Sequence, residues 1–89
     1  MKAIITVVGK DTIGIVSAVS MEITKLKINI LDINQTIMNN NFTMMMMVDL
    51  SKSLNKFEEI RTIFDELSIK LGVNIRIQRE EIFNSMHTL

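Results

Sequence analysis

The chain has 89 residues, of which 47% are hydrophobic and 22% charged, and its ten basic side chains balance ten acidic ones. A chain of this length predicts one domain that buries only about 60–65% of its unfolded surface, so a partner subunit would supplement its core. The absence of cysteine excludes disulfides, zinc ribbons, iron–sulfur sites and thiol nucleophiles, and it fits a reducing cytoplasm. The balanced charge argues against nucleic-acid partners and membrane surfaces, and no apolar run approaches the roughly 18 residues of a membrane span.

A short strand and an amphipathic helix are the first predicted elements. Residues 3–8 form a β-branched run that is too short for an independent helix, so we expect a buried strand that ends in a tight turn at Gly9. Between Thr12 and Leu26 apolar residues recur at intervals of three and four, which predicts a helix with one buried face.

A hairpin is predicted next. Residues 29–38 alternate apolar and polar side chains, which indicates a strand with one polar face. The asparagines at 39–41 tolerate left-handed backbone, and residues 42–50 return as a second strand.

Four consecutive methionines, residues 44–47, occupy this second strand. Thioethers bind Cu(I), but successive side chains of a strand point to opposite faces, so these four sulfur atoms cannot form one cluster. Met44 and Met46 are expected in the core. Met45 and Met47 are expected on the open face of the sheet, as adaptable packing or as an interface.

A second helix and a last strand follow the hairpin. Apolar residues at helical spacing predict the helix over 57–71, with Asn55 and Glu58 as a capping box and Gly72 as the stop signal. Residues 73–78 alternate as a strand.

The order β-α-β-β-α-β predicts an α+β fold, the ferredoxin-like plait, with a four-stranded antiparallel sheet and two helices on one face. Residues 80–89 carry an apolar helical stripe, which predicts a short C-terminal helix docked on the domain or on its partner. We therefore expect one domain over residues 1–79 and a helical extension over 80–89.

The turn after the first strand, within VVGKDTIGIVSAVS at residues 7–20, first suggests a phosphate-binding loop. Its two glycines have the required separation, but Ile15 and Val16 stand where Lys and then Ser or Thr are needed. A dinucleotide fingerprint would need a third glycine and different spacing.

Two interpretations of this turn remain. In the structural one, Asp11 or Thr12 caps the helix, and Gly14 lets the helix pack closely against a neighbour. In the functional one, the free N–H groups around Ile13 to Ile15 bind a small anion such as a carboxylate, and Gly14 leaves room for it.

No constellation of catalytic or metal-binding residues is found in the sequence. His87 is the only histidine, and the carboxylate pairs at 58–59 and 80–81 lie on exposed helix faces, where adjacent side chains diverge. We therefore expect no enzymatic activity, no cofactor and no metal.

The stretch GKDTIGIVSAVSMEITKLKINILDINQ resembles the ACT domain, the ligand-binding regulatory module of many amino-acid metabolic enzymes. The family pattern is a strand, then D-x-x-G and a hydrophobic residue at the helix start, then an N-[IV] pair opening the second strand, here Asp11, Gly14, Ile15, Asn29 and Ile30. The resemblance covers residues 3–79, and the ending IFNSMHTL is similar to that of short stand-alone ACT proteins.

The resemblance implies that a small amino acid binds at a dimer interface, held by the helix-start loop and by the asparagine opening the second strand. The residues in question are Asp11, Thr12, Ile13, Gly14, Ile15 and Asn29.

Geometry points independently to the same dimer. The first and second strands run parallel, so Asp11 and Asn29 lie at opposite ends of the domain, and a helix of about 15 residues between them would be roughly 20 Å long. One amino acid cannot contact both within one chain. A two-fold partner laid along the second strand would bring Asn29 near residues 11–15 of the other chain, and would cover an open edge.

Two functions fit these expectations. The first is a cytoplasmic homodimer that senses a small metabolite, an amino acid by the resemblance, and passes its state to a metabolic enzyme or regulator. The second is an interaction module that assembles subunits without a ligand through Met45, Met47 and the terminal helix. A nucleic-acid-binding sheet would need aromatic side chains on its open face and net positive charge, which this sequence lacks.

Overall fold

The computed structural model describes residues 1–10 and 13–86, so Asp11, Thr12 and the last three residues of the predicted terminal helix lie outside it. Seven elements follow one another along the chain: β1 (Lys2–Lys10), α1 (Ile15–Lys25), β2 (Asn29–Met38), β3 (Asn41–Asp49), α2 (Phe57–Leu71), β4 (Asn74–Arg79) and α3 (Glu80–Met86). The strands form one sheet in the order β2-β3-β1-β4, and every neighbouring pair is antiparallel. The predicted ferredoxin-like plait is confirmed.

The core lies between α1, α2 and one face of the sheet, which we call the helix face. Alternation in the two central strands supplies the sheet side of this core, and burial of each large apolar side chain contributes about 1.5–3 kcal/mol. Its most deeply buried members are Ala3, Ile5 and Val7 of β1, Met44, Met46 and Val48 of β3, Val19 of α1, and Ile60 and Phe64 of α2.

The four consecutive methionines divide between the two faces of the sheet. Met44 and Met46 are each 1% exposed and belong to the core, whereas Met45 is 39% exposed on the opposite, open face. Met47 shares that open face and is half-buried. The predicted division, and with it the exclusion of a four-methionine cluster, is confirmed.

Gly9 does not end β1, which continues to Lys10. A Cβ atom at this position would lie 2.7 Å from Cγ1 and 2.9 Å from Cβ of Val73. The expectation of a tight turn at Gly9 was wrong, because a contact with the chain just before β4, and not a turn, requires the glycine.

Helix α1 begins at Ile15, three residues later than the expected start at Thr12, and Gly14 occupies the N-cap position with φ of 94° and no side-chain cap. The predicted capping residues, Asp11 and Thr12, lie outside the described part of the chain. A Cβ on Gly14 would meet nothing within 4 Å in the described part of the chain, so close packing does not explain this glycine. Its left-handed backbone, which glycine adopts at no steric cost, does.

Helix α2 has its N-cap at Lys56, one residue later than expected. The Lys56 backbone N–H donates to Oε1 of Glu59 at 2.7 Å, whereas Glu58 pairs with Arg61 one turn along the helix at 2.8 Å. The capping box predicted from Asn55 and Glu58 was therefore wrong by one position. The predicted stop at Gly72 is confirmed, because Gly72 closes the helix in the left-handed conformation.

Strand β2 is exposed along its whole length, although its pattern predicted one buried and one polar face. Ile33 and Ile37 do lie on the helix face, opposite Met46 and Phe42, yet they are 44% and 60% exposed because β2 forms the edge of the sheet. A bulge at Leu31 also shifts the alternation, so that Ile30 and not Leu31 shares the face of Ile33.

Helix α3 docks on the open face of the same chain's sheet. Gln78 of β4 donates its side-chain Nε2 to Sδ of Met86 at 3.4 Å, and Phe83 lies with Ile4 and Met47 beside one cavity of that face. The terminal segment thus packs on its own domain as far as Met86.

Replacing Gly9 with alanine should lower the free energy of unfolding by about 1–3 kcal/mol, because the added Cβ overlaps Val73. Urea unfolding followed by circular dichroism measures the change. Without that overlap, alanine would stabilise a strand by about 0.5–1 kcal/mol relative to glycine, so a gain in stability would contradict the close approach.

The two candidate capping residues of α2 predict different losses of unfolding free energy when each is replaced by alanine. Glu59→Ala removes the carboxylate that accepts the Lys56 N–H and should cost about 1 kcal/mol of unfolding free energy. Glu58→Ala, the matched control, removes only an exposed ion pair with Arg61 worth about 0.2–0.5 kcal/mol. Thermal unfolding of both variants decides the matter, and a larger loss for Glu58→Ala would contradict the observed cap.

Candidate functional site

Among the described residues, nothing pairs with the first backbone donors of α1, which lie beside Gly14. The first intrahelical bond joins the Ala18 N–H to the Gly14 carbonyl at 2.9 Å, so the N–H groups of Ile15, Val16 and Ser17 precede the hydrogen-bonded ladder. The first turn contains no acidic side chain, which leaves the positive end of the helix dipole uncompensated by its own residues. This arrangement suits a small carboxylate.

The side chains around these donors have different roles. Ile15 is 3% exposed and anchors the helix start in the core, whereas Ile13 is fully exposed in the loop before it. Gly14 exposes its backbone between them. The site residues Asp11 and Thr12, predicted for the same loop, lie outside the described residues.

Asn29 lies at the other end of the sheet. It opens β2, pairs in register with Asp49, and Asp49 in turn pairs with Lys2 at the beginning of β1. The loop before α1 follows the other end of this nine-residue strand, about 26 Å away along its axis. Helix α1 has 11 residues and a length of about 16 Å, shorter than expected but still too long for one amino acid to bridge.

The structure therefore brings Ile13, Gly14 and Ile15 together and keeps Asn29 apart from them. This separation was expected from the parallel direction of β1 and β2, and it is confirmed. Residues 13–15 and Asn29 thus lie at opposite ends of the domain, so if they share a ligand, each end of one chain supplies only a half-site.

Asp49 is a charged neighbour of Asn29 that sequence reasoning did not include in the site. Its Oδ1 accepts the backbone N–H of Ser51 at 2.9 Å, and this bond, with a further one from the Ser51 side chain, lowers the pKa of Asp49 below its ordinary value. The carboxylate therefore stays ionised beside Asn29 at neutral pH. The hairpin register would have revealed this pairing, but the bulge at Leu31 obscures it in the sequence.

Strand β2 carries an apolar and unpaired edge. Its outer side has no neighbouring strand in the sheet, and five of its apolar side chains are between 38% and 65% exposed: Ile30, Leu31, Ile33, Ile37 and Met38. Such an edge is a template for pairing with another strand.

The described residues contain no group of three or more His, Cys, Asp and Glu side chains arranged to hold a metal ion. In the same part of the chain, every helix is too short or too polar to cross a membrane.

Comparison with known proteins gives the same fold and assigns a family. Residues 2–78 match the ACT domain family. A UPF0237 protein of Clostridium acetobutylicum is 58% identical over 87 residues, which cover 98% of each chain. Among solved structures, an ACT domain protein from Streptococcus pneumoniae is 48% identical and superposes with a TM-score of 0.82 over 93% of each chain.

A more distant structure has the same fold within a longer protein. A formyltetrahydrofolate deformylase from Pseudomonas syringae is 18% identical and superposes with a TM-score of 0.80, over 88% of this chain and 27% of that one. The family match supports a ligand-binding regulatory module as the general class of function. By its residues 2–78 and its full-length relatives, the chain belongs to the ACT domain family.

Proposed function

We propose that this protein is a non-catalytic regulatory module that works in the cytoplasm as a homodimer and binds a small amino acid at two equivalent sites between its subunits. The observation that carries the proposal is the separation of the helix-start donors from Asn29 along the sheet, combined with the bare apolar edge of β2. A second copy of the chain accounts for both.

The sheet register supports a two-fold arrangement. Met38 at the end of β2 is level with Asn41 and Lys10, so this end of β2 lies where β1 leads into the loop before α1. Antiparallel pairing of β2 with the partner's β2 would place Asn29 opposite the Met38 end of the partner. Asn29 would then lie at the end of the joint sheet that carries the partner's loop.

Each half-site offers what one end of an amino acid requires. The N–H groups at the start of α1 would bind the carboxylate, which the helix dipole favours. The side chains of Asn29 and Asp11 would bind the ammonium group, beside the Asp49 carboxylate, which the N-terminal ammonium of Met1 approaches to 3.9 Å. With no catalytic group of its own, the dimer would act by passing its ligand state to an enzyme or regulator.

The dimer can be tested by a substitution in the middle of β2. A two-fold axis near the middle of β2 places the two copies of Ile33 close together, so Ile33→Asp would introduce two mutually repelling carboxylates and dissociate the dimer. Sedimentation equilibrium should give the dimer mass for the wild type and the monomer mass for Ile33→Asp.

Ile69→Asp is the matched control, because Ile69 is 84% exposed on α2, the helix that packs against β4 at the opposite edge of the sheet, and this variant should stay dimeric. A wild-type protein that is monomeric at the highest attainable concentration, or an Ile33→Asp variant that remains dimeric, would rule out pairing along β2.

The ligand can be tested by measuring amino-acid binding directly. Isothermal titration calorimetry with a panel of amino acids should find one that binds with one molecule per chain. Asn29→Ala should weaken its binding by about 10- to 100-fold, the cost of a hydrogen bond to a charged group. Asn55→Ala is the control, since Asn55 lies in the loop before α2, and it should bind as the wild type does.

Failure of the ligand prediction leaves a distinguishable result. If the wild type is a dimer, but no amino acid gives a heat of binding or raises its unfolding temperature, the protein is an assembly module without an amino-acid ligand. If Asn29→Ala binds as tightly as the wild type, Asn29 is not part of the site.

A further inference from the structure

A cavity of about 350 Å³ lies between α3 and the open face of the sheet. It is separate from both half-sites described above, because its walls come from the open-face side chains of β1, β3 and β4 and from α3. Val8, Met45, Phe83 and Met86 supply its apolar surface, and Arg76 and Gln78 supply polar groups. Its volume falls in the range of about 300–1,000 Å³ that is typical of small-molecule sites.

The layer between α3 and the sheet is incompletely filled. None of the residues of α3 is buried, and Met45 and Val8 remain 39% and 43% exposed on the sheet below. Ile4, by contrast, is only 7% exposed and lies with Phe83 beside a second, smaller cavity. The space is half open to solvent, and an apolar groove rimmed by polar side chains is typical of a ligand-binding surface.

The charged residue beside the cavity indicates the chemistry of a ligand that would fit it. Arg76 is the charged residue among those that line it, and residues 1–10 and 13–86 provide no salt bridge for its guanidinium. A guanidinium binds a carboxylate through two parallel hydrogen bonds. Arg76 is exposed at the rim of the groove, so it can pair with the carboxylate of a ligand whose apolar body covers the side chains beside it.

We propose that this cavity binds a small monocarboxylate with an apolar body. The carboxylate pairs with Arg76 at the polar wall, where the Gln78 side chain offers a further donor. The apolar body lies against Met45, Phe83 and Met86, and the flexible thioethers allow the wall to fit chains of different shape.

The test uses octanoate as the probe and the full-length protein with ¹³C-labelled methionine methyl groups. Octanoate should shift the methyl resonances of Met45 and Met86 saturably, because both side chains line the cavity. Met21 on α1 and Met38 at the end of β2 do not line it, and their resonances should stay unchanged.

Two variants and one neutral analogue separate the contributions of charge and volume. Arg76→Gln should weaken octanoate binding by about tenfold and leave the binding of octanamide unchanged. Arg61→Gln on α2, where Arg61 pairs with Glu58, is the matched control and should bind octanoate as the wild type does. Val8→Phe, which adds volume at an exposed open-face position, should weaken both ligands.

Three results would overturn the proposal. The first is the absence of a saturable shift at Met45 and Met86. The second is an equal shift of the Met21 and Met38 resonances, since this indicates that octanoate associates with the protein non-specifically, as a detergent does. The third is equal octanoate binding by the wild type and Arg76→Gln.

Discussion

The register between the two central strands, β1 and β3, determines most of what this molecule can do. Pairing Ala3 with Val48 and Val7 with Met44 places the apolar side chains of both strands on the face that α1 and α2 cover. A slip of one residue would turn Met44 and Met46 to the open face. The same register sets Lys10 level with Asn41 and the start of β1 level with Asp49, and so fixes which loops share an end of the sheet.

This register is what separates the two proposed half-sites. The helix-start donors follow the end of β1, and Asn29 is tied through Asp49 to its beginning, so no side-chain rearrangement within one chain can bring them together. Of the two roles that the sequence suggested for Gly14, close packing against a neighbour does not apply to the described residues. Gly14 adopts the left-handed conformation from which the helix starts, and a Cβ there would enter space that the described residues leave open.

The sequence predicted those features that depend on local periodicity. The element order, the faces of the four methionines and the stop of α2 follow from spacing alone, and all were correct. The N-cap of α2 was misplaced by one residue because two overlapping pairs, Asn55 with Glu58 and Lys56 with Glu59, both have capping-box spacing. Features set by distant contacts were not predictable in this way.

Gly9 and β2 show why distant contacts escape the sequence pattern. Gly9 looks like a strand terminator, and only the position of Val73 beside it reveals a close approach. Alternation in β2 correctly indicated a strand, but it does not show whether a helix covers that strand, and the bulge at Leu31 changes the alternation itself. The start of α1 and Asn29 lie at opposite ends of the sheet, as predicted, whereas the position of Asp49 beside Asn29 was missed because this pairing depends on the hairpin register.

The open face connects the proposed cavity to the edge of the sheet. Met45 and Phe83 line both the cavity that contains Arg76 and a second one of about 210 Å³, which is also lined by Asp32 and Asn34 of β2. A ligand that displaces Phe83 in the first cavity therefore changes the surroundings of β2 in the second. If β2 forms the subunit interface, such a ligand and the partner subunit affect each other's affinity by the same factor, because coupling between two binding events is reciprocal. Even a small coupling free energy would then change the balance between monomer and dimer.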